Sequence, residues 1–61
     1  MKKNEKKELA DGLMHLCNSL MYTEMALTFS AVGDSNKVLE GERLRKEEYE
    51  KAADCFKKFI G

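Results

Sequence analysis

A single stretch, SAVGDSN from Ser30 to Asn36, interrupts an otherwise unbroken supply of helix-forming residues. The chain has no proline, and its glycines are scattered among Leu, Met, Ala, Glu and Lys, which lose little freedom in a helix. Gly33 suits a left-handed C-terminal cap, and Asp34 or Ser35 suits the N-cap of whatever follows. The expected elements are helices over about 4–29 and 36–59. Joined by so short a turn, they form an antiparallel helical hairpin, an all-α fold. With 61 residues there is room for one such domain, 1–61.

The first helix carries more apolar residues than one partner helix needs. At about 100° per residue, Leu9, Leu13, Leu16, Leu20 and Leu27 fall on one narrow stripe. Beside it runs a second stripe of Ala10, Met14, Cys17, Met21 and Met25, and the polar strip is Asp11, His15, Asn18, Ser19 and Tyr22. In the second helix, Val38, Gly41, Tyr49, Ala52, Phe56, Phe59 and Ile60 share a face. The expected intrachain core is therefore the leucine stripe against Tyr49, Ala52, Phe56 and Phe59. A turn at Gly33 sets Leu9 opposite Phe59, Leu13 opposite Ala53 and Leu16 opposite Tyr49. In that register Leu20 approaches Arg45, and Glu24 comes within reach of Arg45 as an ion pair, the alternative being a guanidinium that extends to water. The Met/Cys stripe has no intrachain partner and is the expected oligomer or partner interface.

A chain this short buries only about 60% of its unfolded surface, and small folds compensate with disulfides, a metal or association. Cys17 and Cys55 are offset by roughly 8 Å along the hairpin, too far to bridge, and read as two small buried thiols. Asp11 and His15 share a helical face, but four ligands in paired spacings are missing, so no metal and no cofactor is expected. Association remains. Two hairpins packed on their Met/Cys sides make a four-helix-bundle homodimer, with two-fold symmetry the default. A methionine-rich face also suits a foreign helix, so self and other stay open.

Lysine and arginine together number 11, as do aspartate and glutamate, which removes any long-range pull toward nucleic acid or an anionic membrane. No apolar run is long enough to span a bilayer, and the basic start MKKNEKK is followed by Glu8, Asp11 and His15 rather than a signal-peptide core, so a cytoplasmic protein is expected. No phosphate loop or nucleophile–base arrangement is present, and a two-helix chain offers little cavity for excluding water, so the chain is not expected to be an enzyme.

The opening MKKNEKKEL, the central turn, the two cysteines and the end DCFKKFIG resemble, in outline, the Rop family of small helical-hairpin plasmid regulators. The resemblance implies an antiparallel four-helix-bundle dimer that binds paired RNA loops. The family's binding face would fall on Lys3, Ala10, Met14, Asn18 and Met25. Lys3 and Asn18 are of the right kind, whereas Ala10 and Met25 lack polar groups and Met14 stands where an aromatic is usual. An antiparallel hairpin also brings Lys2, Lys3, Lys6 and Lys7 to the same pole as Lys57 and Lys58.

Three functions are thus open. One is a small regulatory or inhibitory protein, of the kind phages and plasmids encode, that associates with itself and occupies a larger protein of the host cell. Another is an RNA-binding regulator in the Rop manner. The third is sequestration of an anionic or nucleotide ligand between protomers, with Arg43, Arg45 and Lys46 on phosphate and Tyr22 or Tyr49 stacked on a base.

Overall fold

The computed structural model describes residues 2–60, and the side chains of residues 2–58. Two helices make up the fold: α1, Lys3–Ala31, and α2, Ser35–Ile60. Each runs a residue or two beyond the expected ends, the inner ends because the turn uses fewer residues than its composition allowed. They pack along one another as an antiparallel hairpin measuring 47 × 13 × 11 Å. No helix among the described residues is long and apolar enough to cross a membrane.

The turn is built as its sequence suggested. Gly33 adopts φ +80°, the left-handed region where a side chain is strained. Its N–H donates to the Ser30 carbonyl at 3.1 Å, and the Asp34 N–H donates to the Phe29 carbonyl at 2.9 Å. This pair of bonds is a Schellman cap, which satisfies carbonyls that a helix end leaves free. Asp34 then caps α2, its Oδ1 accepting from the Lys37 N–H at 3.2 Å. At the other end of α1, the Glu5 carboxylate accepts from the Lys2 N–H at 3.4 Å.

The line along which the helices meet differs from the expected leucine stripe. On α1 the buried residues are Gly12, Ser19 and Ala26, one every seven, and on α2 they are Gly41 and Ala52. A Cβ placed on Gly41 would stand 3.2 Å from the Ala26 Cβ and 3.4 Å from the Tyr22 carbonyl oxygen. A Cβ on Gly12 would stand 2.8 Å from the edge of the Phe56 ring. The helices therefore approach through residues with almost no side chain, and Phe56 lies over the gap that Gly12 leaves. Ala26 opposite Gly41 and Gly12 opposite Phe56 keep the register set by a turn at Gly33.

Two substitutions test these features. Gly33→Ala should cost about 1 kcal/mol, the usual cost of a left-handed residue with a Cβ, read as a lower denaturant midpoint with unchanged slope. Gly41→Leu should destabilise far more, since the added side chain points at Ala26 and at backbone.

Candidate interaction surface

Small residues on the inner face leave the large ones elsewhere. Leu13, Leu20 and Leu27 are 50%, 62% and 66% exposed. Expected in the intrachain core, they instead point away from α2. The cause is steric: a seam drawn tight at Gly12, Ser19 and Ala26 has no room for leucine. Leu9 and Leu16 are half-buried at the flank of the seam, Tyr49 is more than half exposed, and Phe56 is half-buried. Ala52 is buried, 2% exposed. The side chain of Phe59, also expected in the core, lies outside the described residues.

The Met/Cys stripe continues the leucine surface. Ala10, Met14, Cys17 and Met21 are exposed, while Met25 is half-buried with its methyl group toward Gly41. Cys17 is thus an exposed free thiol rather than a buried one, and Cys55 is free and half-buried. The exposed members of the two stripes that the sequence assigned to separate partners, Leu13, Leu20 and Leu27 with Ala10, Met14, Cys17 and Met21, form one broad apolar face on α1. Among the described residues no large side chain is fully buried.

Polar residues occupy the inner face instead. His15 Nδ1 meets Glu48 Oε2 at 2.5 Å, across the two helices, with the side chains 22% and 16% exposed. The carboxylate can only accept, so the ring donates. This contact holds the Glu48 carboxyl below its ordinary value near 4.5, against an upward push from burial, and Lys51 and Asn18 assist. Ser19 is buried beside this pair in sequence, and Thr23 donates its hydroxyl to the Ser19 carbonyl at 3.0 Å. Partial burial, with the Glu8 and Asp11 carboxylates near, raises the Cys55 thiol above its ordinary range.

The residues proposed for ligand or ion-pair roles do not converge. Arg45 pairs with Glu42 of its own helix at 3.3 Å, and Glu24 is exposed, so the expected Glu24–Arg45 pair is not formed. A partner one turn away on α2 outcompetes one across the seam. Arg43 pairs with Glu47 at 2.9 Å, and Lys46 is exposed. At about 100° per residue, Arg43 and Lys46 share a side of α2 but Arg45 turns about 100° or more away, and both arginines are held by glutamates of their own helix, so no three-cation phosphate cradle results. Tyr22 lines a shallow groove of about 300 Å³ with Met25, Phe29, Lys37, Glu40 and Leu44, where Lys37 sits 4.8 Å over the Phe29 ring. Tyr49 is on a different part of α2 and does not enter it.

The five positions on which a Rop-like RNA face would fall are also split. Lys3, Ala10 and Met14 are exposed, while Asn18 lies beside Glu48 and Met25 is half-buried near Gly41. Among the described residues no group of three or more His, Cys, Asp or Glu is placed to hold a metal ion.

Sequence reasoning missed the inner seam, although its signal was present. Gly12, Ser19 and Ala26 recur at seven-residue spacing, a pattern that marks close helix approach when the residues are small. Compared with protein-family models, curated proteins and solved structures, the chain matches none.

The Glu48 contact carries a pH signature. A carboxyl depressed in the folded state adds stability above its unfolded value, and that stability is lost as pH falls through the lower folded value. Acid titration of wild type should show this loss below about pH 4.5. Glu48→Gln should be less stable at neutral pH and should lose less on acidification, measured as denaturation midpoints across the pH range.

Proposed function

We propose that this chain is a small non-catalytic regulatory or inhibitory protein that works by protein–protein contact, as a homo-oligomeric helical bundle. One observation carries this reading: the broadest apolar surface of the molecule, from Leu13 through Leu20 to Leu27 with Met14 and Met21 beside it, faces outward. Water contact on that many half-exposed large side chains costs free energy at roughly 25 cal/mol per Å². Large contiguous patches of this kind mark interaction sites in soluble proteins. The inner seam supplies little compensation, since what it buries is glycine, alanine and serine.

The adaptable thioethers of Met14 and Met21 on the same face favour an occupant that is itself helical. A bundle of hairpins would cover the leucines, and the methionines at the margin would remain to meet a larger protein of the cell. On that face, among the described residues, the Cys17 thiol and the Glu24 carboxylate are the reactive or titratable groups, and Glu24 stands between leucines without a cavity around it.

Solution mass tests the reading. Wild type should scatter light as a multiple of its 7.0 kDa chain. Leu20→Glu should reduce the mass to one chain, with helicity falling as the hairpin loses its support. A wild-type protein that is folded and monomeric, and from which a Leu20→Glu variant is indistinguishable in stability and in capture of protein from its own cell, would overturn the proposal.

A further inference from the structure

We propose that the apolar face of α1 is filled by α1 of a second copy of this chain, running antiparallel, with the two-fold axis passing at Leu20. This rests on the homo-oligomeric reading above and adds a direction and a register to it.

Area speaks first. A compact monomer of this mass would expose roughly 4,000 Å². The hairpin exposes 4739 Å². The excess, roughly 700 Å², is close to the ~800 Å² that one partner contributes to a standard interface. A second copy thus removes about as much surface as the hairpin has in surplus.

Periodicity speaks next. The exposed residues Ala10, Leu13, Cys17, Leu20, Leu27 and Ala31 keep alternating three- and four-residue steps, with Glu24 filling the one remaining position. That is a coiled-coil seam, on the side of α1 away from α2. Its three leucines are evenly placed about Leu20. Leu13 and Leu27 lie seven residues on either side of Leu20, about 10 Å each way. Isologous pairing needs such symmetry, because each residue must suit the one its copy presents. With the axis at Leu20, Leu13 of either copy lies over Leu27 of the other.

Charge selects the direction. In a parallel pair, Glu24 would face its own counterpart inside an apolar seam. Lys2, Lys3, Lys6 and Lys7 would also be stacked on their counterparts, at the pole where Lys57 and Lys58 of α2 already lie. Antiparallel pairing separates the two Glu24 side chains by about 12 Å along the axis. It sets the lysine-rich start of each α1 beside the turn of the other copy, where Asp34 lies. Asp34 then offers each lysine-rich start one opposite charge, next to the Lys37 that stands over Phe29.

Cross-linking tests the register in the full chain. In a Cys17→Ser, Cys55→Ser background, single cysteines are placed as Leu13→Cys, Leu20→Cys or Leu27→Cys and treated with a bis-maleimide that spans about 8–10 Å, the spacing of packed helices. Leu20→Cys should convert to a covalent dimer. Leu13→Cys and Leu27→Cys should not do so alone, since like residues lie ~21 Å apart along the axis. Mixed together, those two variants should cross-link to each other. Equal self-cross-linking at all three sites would mean a parallel pair and would overturn the proposal. Dimeric mass by light scattering with no cross-link at Leu20 would overturn the register while leaving the homo-oligomeric reading intact. A mass of one chain, or a stable one-to-one complex with a different protein, would overturn the second copy as occupant.

Discussion

Everything in this hairpin follows from how closely its helices approach. Gly12, Ser19 and Ala26 on α1 meet Gly41 and Ala52 on α2, and a Cβ added at Gly41 would already crowd Ala26 at 3.2 Å. Close approach gains dispersion contacts between backbones but leaves no room for a large side chain along the line of contact, except where a glycine gives way as Gly12 does to Phe56. Leucine and methionine must then be placed outside it. The apolar exterior of α1 is thus the counterpart of the small-residue interior.

The inner seam is also more polar than a hairpin interior of this size would normally be. His15 and Glu48 are mostly shielded and meet across the helices, while Ser19 is buried nearby. A shielded hydrogen bond of this kind adds modest net stability but is costly to break, so it favours one register over its neighbours. Small residues allow the helices to slide, and a directional contact in mid-helix opposes sliding. The two features answer each other, the seam fixing the distance and the His15–Glu48 contact fixing the offset.

Much of the fold was legible in the sequence and the orientation of α1 was not. Gly33 and Asp34 announced the turn, because only particular residues satisfy a left-handed cap and an N-cap. The register followed from that turn. The rotation of α1 about its own axis was misjudged because the leucine stripe was assumed to face the nearest helix. Hydrophobic periodicity says which residues share a face, but not which neighbour that face meets when the neighbour is small-residue seam rather than large-residue core. The Glu24–Arg45 pair failed for the same reason, since it presumed Glu24 stood near the seam. Ala52 and Phe56 were placed on the inner side from the apolar face of α2 alone, but the same face also put Tyr49 in the core, where the structure leaves it more than half exposed at the flank.

A hairpin whose fully buried described residues are glycine, alanine and serine, with one His15–Glu48 contact and only half-buried Leu9, Leu16, Met25 and Phe56 beside them, loses little when it opens. Under the proposed association, its resistance to opening comes largely from what covers the outer face of α1. Any ligand that binds only the folded form raises stability in proportion to how well it is supplied. Proteases act on the opened form. Under the association proposed above, the occupant of the leucine face governs how long each copy of the chain survives, and the exposed stripe acts as a lifetime control as much as a binding surface.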